Sequence, residues 1–173
     1  MLSAVTYMHE QGICNRDFKL ENMLVSGDLA IKVADFGFAV PVEGRDRGGA
    51  RTTSLGTPGY MAPELLEGRA YSGAAADLYA LGVILFAMVT VNMPFSSLGY
   101  GQVPGGRAVH ECDARYHRFN TDKQRYWQGF AAHGLSSEIK ALLDAMLHPD
   151  PTLRPTAADI LTHAWMTQQA EAT

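Results

Sequence analysis

Residues 14–24 read Cys14-Asn15-Arg16-Asp17-Phe18-Lys19-Leu20-Glu21-Asn22-Met23-Leu24, and a little further on the chain continues Asp35-Phe36-Gly37. Between them lie two short apolar runs, Asn22 to Val25 and Leu29 to Ala34, separated by Ser26-Gly27-Asp28. Short apolar runs broken by a Ser-Gly-Asp turn signal predict a small hairpin flanked by polar loops. A hairpin brings the chain back to where it set out. Asp17 and Asn22 before it and Asp35 after it are therefore predicted to meet at one of its ends.

Outward from this hairpin the text is helical. Leu2, Val5 and Met8 recur at helical spacing before Gly12, so the chain opens inside an amphipathic helix with almost no lead-in, the appearance of a truncated domain. Pro41 to Thr53 is rich in glycine and charge and long for a plain connection, which favours a functional or mobile segment. Asp77 stands where an N-capping residue would precede the apolar run Leu78 to Val91, and Asn92-Met93-Pro94 ends it. Ser96 to Gly106 is a second Gly-rich loop. Ser136 or Ser137 opens a helix with Ile139, Leu142, Leu143, Met146 and Leu147 on one face, and Thr156 with Asp159 forms a capping-box pattern before Ile160, Leu161, Ala164 and Trp165. The expected fold is mostly α with one small β-hairpin and no internal repeat.

At 173 residues the chain is the size of one domain, long enough for about 70% of the unfolded surface to leave water. Its formal charge of −4, with lysines and arginines scattered, provides no basic face for nucleic acid. Cys14 and Cys112 are far apart and no signal-peptide pattern precedes them, so a cytoplasmic or other intracellular setting is expected. Leu78 to Val91 would span about 21 Å as a helix against a hydrocarbon core of about 30 Å, which predicts a helix buried in protein, not a membrane span. His110, Cys112 and His117 match no zinc spacing.

Two acids and an amide converging on one hairpin end suit phosphoryl transfer, whose work is to position a hydroxyl and to neutralise spread phosphate charge with Mg²⁺. Singly, Asp and Asn cap turns far more often than they bind metal. The order of further matches decides between the two: Gly56-Thr57-Pro58-Gly59-Tyr60-Met61-Ala62-Pro63-Glu64, then Asp77 to Gly82 (DLYALG), then Pro94-Phe95, then Arg154. On these residues, and over Leu2 to Trp165, the chain resembles the eukaryotic protein kinases. Lys19 two places after Asp17, and Thr57 after Gly56, resemble the serine/threonine kinases; GTPGYMAPE and HPDPTLRPTAADILTHAW look most like the calcium/calmodulin-dependent group.

The resemblance implies the C-terminal lobe of the kinase fold over residues 1–166, a tail over 167–173, and no N-terminal lobe. It implies ATP and Mg²⁺ as cofactors and a protein with a Ser or Thr acceptor as substrate. Asp17 would orient the hydroxyl and accept its proton, Lys19 would lie beside the γ-phosphate, Asn22 and Asp35 would hold Mg²⁺, and Leu24 would floor the nucleotide. Arg16 would pair with a phosphate on the activation segment, with Thr53 at the family's usual position, Thr52 and Ser54 its neighbours, and Thr57 in the same segment. Val40 stands where many relatives keep a second basic residue. Glu21, Pro58 and Met61 would bind substrate; Glu21 would read an upstream Arg, although the second acid that often assists is replaced by Ala87. Glu64 would pair with Arg154, Asp77 would bond backbone amides of the catalytic loop, and Gly82 would allow close helix packing.

Two departures shape the expectation. No Gly-rich loop, β3 lysine or αC glutamate occurs in these residues, so nucleotide should bind weakly and the chain alone should transfer little phosphate. Asn15 replaces the usual His or Tyr, offering little apolar area to Phe36 and an amide that must be hydrogen-bonded if buried. The rival reading is a pseudokinase-like binding lobe that engages a partner through an exposed inter-lobe face.

Overall fold

A computed structural model of the chain describes residues 1–41, 56–95 and 113–171. Among these, helices dominate and the strands form two small antiparallel pairs. Thr52, Thr53, Ser54, His110, Cys112 and the Ser96 to Gly106 loop lie outside the described residues.

The hairpin is present. Strands β2 (Met23–Val25) and β3 (Ile31–Val33) pair in the register Met23 with Val33, Leu24 with Lys32 and Val25 with Ile31. Its turn is closed by Ser26 N donating to Ala30 O and Leu29 N to Ser26 O, both at 2.9 Å, with Leu29 in the left-handed region at φ 63°. Beyond the ladder, Ala34 N donates to Asn22 O at 2.8 Å, so the pairing reaches the end of the loop 14–22. A second pair, β1 (Ile13–Cys14) with β4 (Val40–Pro41), frames the other end of the segment. Two-residue strands have no periodicity for a sequence reading to detect.

The core is built around helix α3 (Gly73–Thr90), which packs against α1 (Leu2–Glu10) and α6 (Ser137–Met146). It starts earlier than the apolar run suggests. Ser72 is the N-cap, its Oγ accepting from Ala75 N at 3.3 Å, so Asp77 lies inside the helix and is not its cap. The reason is Ala74-Ala75-Ala76, strong helix formers that extend the helix a turn ahead of its hydrophobic stretch. The helix ends where Val91 turns left-handed at φ 55°. By length and composition α3 could cross a membrane, but its apolar window is 67% buried by other elements, the setting of a core helix. Gly82 is required at the crossing with α6: a Cβ there would stand 2.9 Å from Met146 Cβ.

Helices α2 (Pro63–Leu66), α4 (Ala114–Thr121), α5 (Lys123–Gln128), α7 (Ala157–Leu161) and α8 (Ala164–Glu171) complete the fold. Ser136 caps α6, whose Ile139, Leu142, Leu143 and Met146 are buried. Thr156 and Asp159 form the expected capping box on α7. At the far end of α3, Phe86 joins an aromatic cluster with Phe95, Phe119, Tyr126, Trp127 and Phe130. The Tyr126 hydroxyl donates to Pro94 O at 3.0 Å, and burial raises its pKa above the usual tyrosine value.

Candidate active site

The loop 14–22 is held from beneath by one carboxylate. Asp77, fully buried on α3, accepts from Asn15 N (Oδ2, 2.9 Å) and Arg16 N (Oδ1, 2.8 Å), while His9 Nε2 of α1 lies 3.0 Å from Oδ2. Buried backbone amides must find acceptors, and a buried carboxylate needs donors; here each satisfies the other. Arg16 is thereby held at φ 68°, a region that side chains other than glycine rarely adopt. Its Nε donates to Phe38 O at 2.8 Å and its NH1 to the Tyr71 hydroxyl at 3.3 Å.

Above this support, Asp17 presents a carboxylate that is only 5% exposed. Lys19 Nζ donates to Asp17 Oδ2 at 2.8 Å and to Thr57 Oγ1 at 2.9 Å, and the Thr57 hydroxyl donates to Asp17 Oδ1 at 2.8 Å. The three side chains form a triangle linking the loop to the segment that begins at Gly56. The bond to Asp17 raises the Lys19 ammonium above its ordinary pKa, so the charge is retained. Thr57, read from sequence as an activation-segment residue, is thus placed directly on the candidate proton acceptor.

Asn22 and Asp35 are brought to the same place by the hairpin. Asn22 Nδ2 donates to Asp17 O at 3.1 Å, which leaves its carboxamide oxygen as a hard ligand; Asp35 is exposed, at φ 62°, with Oδ1 accepting from Gly37 N at 2.9 Å. Two oxygen donors on tethered backbone suit Mg²⁺, which takes a carboxylate and completes its octahedron with water and phosphate. Leu24 and Val25 are exposed on β2, Leu29 in the hairpin turn and Phe36 beyond β3.

Asn15 meets the requirement that a buried amide be hydrogen-bonded. It is 1% exposed and its amide is bonded at both ends, Nδ2 donating to Asp35 O at 2.9 Å and Oδ1 accepting from Asp17 N at 3.1 Å. The sequence showed that a buried amide would need partners but could not show that the chain on either side of the hairpin, at Asp17 and at Asp35, supplies them. Phe36, by contrast, is 52% exposed.

Of the substrate-side residues, Glu21 and Pro58 are exposed, whereas Met61 is buried against Gly56 and lines a small cavity with Asp17, Phe18, Thr57 and Ala80. Glu64 and Arg154 meet as a fork-on-fork pair, NH1 to Oε1 and NH2 to Oε2 each at 2.6 Å, essentially without solvent exposure. Arg154 also donates to His148 O, Ala75 O and Pro149 O and lies over the Tyr79 ring. Among the described residues no cluster of His, Cys, Asp and Glu suggests a further metal site.

Comparison with known proteins agrees with this geometry. Residues 1–166 match the protein kinase domain family. CBL-interacting protein kinase 28 of Oryza sativa subsp. japonica is 35% identical over 167 residues, 95% of this chain and 34% of its own length. CBL-interacting protein kinase 26 of the same organism is 32% identical over 99% of the chain and 31% of its own length. Maternal embryonic leucine zipper kinase of Danio rerio is 33% identical over 96% and 22%. The chain spans about a third of the length of the first of these relatives.

Proposed function

Because the chain belongs to the eukaryotic protein kinase family, in its serine/threonine branch related to the calcium/calmodulin-dependent group, we propose that it carries the acceptor-activating and metal-binding half of a protein serine/threonine kinase. In this reading residues 1–166 are the C-terminal lobe. The observation that supports it most is the Asp17–Lys19–Thr57 triangle, tied by a buried hydrogen bond to Asn22 and, through Asn15, to Asp35.

Each residue then has a physical task. Asp17, pinned between Lys19 and Thr57, accepts a hydrogen bond from the substrate hydroxyl, orients it and takes its proton as the oxygen attacks. Lys19 supplies a retained positive charge at the transferred phosphoryl group. Asn22 and Asp35 would hold Mg²⁺, which neutralises charge on the phosphate oxygens. Leu24 gives the nucleotide base an apolar floor. Glu21 and Pro58 lie open to a substrate chain, and Met61 lines the cavity at Asp17. Arg16 serves a phosphate on Thr53, a role for which its bonds to Phe38 O and the Tyr71 hydroxyl would be exchanged or shared. An intracellular setting, where ATP is available, goes with this reading.

The 173 residues contain no glycine-rich phosphate loop and no lysine of the kind that holds the α- and β-phosphates, so by themselves they are proposed to transfer phosphate slowly or not at all. Titration with Mg²⁺–ADP tests the metal half: weak binding that disappears in Asp35→Ala is expected, and no binding to the unsubstituted chain would refute the reading. Labelled ATP with Ser/Thr peptides tests the rest. Robust transfer abolished by Asp17→Asn would confirm the chemistry and overturn the proposed inactivity.

The exposed apolar residues Leu24, Val25, Leu29 and Phe36, on and around the hairpin, favour one second reading, a non-catalytic lobe that binds a protein there. Partner capture that survives Asp17→Asn and Asp35→Ala, without Mg²⁺–ADP binding, would select it.

A further inference from the structure

Asn15 has no part in the chemistry proposed above, yet it is more deeply buried than Asp17. Its carboxamide closes a circuit. Oδ1 accepts from Asp17 N (3.1 Å), Asp17 O accepts from Asn22 Nδ2 (3.1 Å), and Asn22 O accepts from Ala34 N (2.8 Å). Ala34 is bonded covalently to Asp35, and Asp35 O accepts from Asn15 Nδ2 (2.9 Å). The circuit contains the candidate proton acceptor and both candidate metal ligands. Two of its neighbours or members, Arg16 and Asp35, are held at φ 68° and 62°, where non-glycine residues relax unless something restrains them.

We propose that Asn15 is a positioning residue: its carboxamide clasps the main chain of Asp17 to that of Asp35 and so fixes the spacing between proton acceptor and metal ligand. The significance of that spacing rests on the phosphoryl-transfer reading; the clasp itself does not. The residue type follows from the two partners. One atom must accept from an amide and the other must donate to a carbonyl, within one short side chain and without a charge. Aspartate has the same shape but sets a second acceptor against Asp35 O. Leucine fills similar space and offers neither group. Asn15 N is meanwhile held by Asp77 at 2.9 Å, so α3 anchors the clasp as well as the loop.

Amide hydrogen exchange, read residue by residue by NMR on the full chain, tests the clasp in Asn15→Asp and Asn15→Leu. Amides of α3 report whether each variant is folded. With α3 protected, the Asp17 amide in Asn15→Leu, which offers it no acceptor, and the Ala34 amide in both variants should exchange at least about tenfold faster than in the unsubstituted chain. Unchanged exchange at both amides in a folded variant would overturn the clasp. If neither variant keeps α3 protected, Asn15→His, which retains a donor for Asp35 O but has no carboxamide oxygen, is read at the Asp17 amide: the same acceleration is expected, and unchanged exchange there would overturn the clasp. A parallel titration with Mn²⁺–ADP tests the positioning role: affinity should fall by about tenfold in the same variants. Equal affinity alongside accelerated exchange would refute positioning. Failure of the unsubstituted chain to bind Mn²⁺–ADP, with exchange as expected, would instead overturn the phosphoryl-transfer reading and leave the clasp standing.

Discussion

Replacing Arg154 by alanine would leave the Glu64 carboxylate, which is fully buried, without its fork of donors. Stripping one partner from a buried pair typically costs about 3–5 kcal/mol, because the remaining charge has neither water nor a counter-ion. The same substitution removes the donor to His148 O, Ala75 O and Pro149 O and the cation over Tyr79. These groups border less buried ground, so the expected loss is set at about 4 kcal/mol, a large share of the roughly 5–15 kcal/mol that holds a domain folded. With a urea m-value of about 2 kcal/mol/M, the unfolding midpoint should fall by about 2 M, measured by circular dichroism. A companion variant distinguishes desolvation from packing. Glu64→Leu with Arg154→Met removes both charges while keeping bulk, and should recover much of the loss. A single-variant loss below about 1 kcal/mol, or a double variant less stable than Arg154→Ala, would refute the claim that an orphaned charge sets the penalty.

Gly82→Ala should destabilise the fold by about 1–3 kcal/mol in thermal unfolding, since the added methyl would stand 2.9 Å from Met146 Cβ; a neutral result would mean α3 and α6 separate freely. Asp77→Ala orphans the amides of Asn15 and Arg16, and should accelerate their hydrogen exchange by at least about tenfold while α6 amides stay protected. Thr57→Val removes the hydroxyl shared by Asp17 and Lys19, and should alter the Lys19 Nζ NMR signal while shifting the unfolding midpoint little. Acid titration should expose the α7 cap: the Thr156 hydroxyl and then its amide hold the Asp159 carboxyl below its ordinary 3.8, so its stabilisation is present above that value and lost as pH falls through the lower folded one. In Thr156→Ala that part of the pH dependence of the urea midpoint should vanish.

The sequence made legible whatever is local or repeated in type. The Ser26-Gly27-Asp28 turn, the Ser136 cap and the Thr156–Asp159 box each depend on residues within a few positions, and each appears as expected. The Glu64–Arg154 pair, separated by 90 residues, was legible only through family resemblance. What escaped was of two kinds. Asp77 looked like a helix cap because the hydrophobic run begins after it, while the alanines that move the true start to Ser72 carry no periodicity. The tie from Thr57 to Asp17 and the double engagement of Asn15 are long-range hydrogen bonds made by small polar residues, and no spacing rule marks such partners in advance.

The anchoring of the loop 14–22 on Asp77 has a consequence for how the molecule can come apart. Loops usually open alone, at small free energy, while the core stays closed. Here the amides of Asn15 and Arg16 are bonded to a side chain whose own helix turn is locked between α1 and α6. Local melting of residues 15–17 must either abandon a carboxylate in the dry interior or drag α3 with it. The loop therefore belongs to the same cooperative unit as the core, so its geometry should persist up to the temperature at which the whole fold fails and vanish together with it.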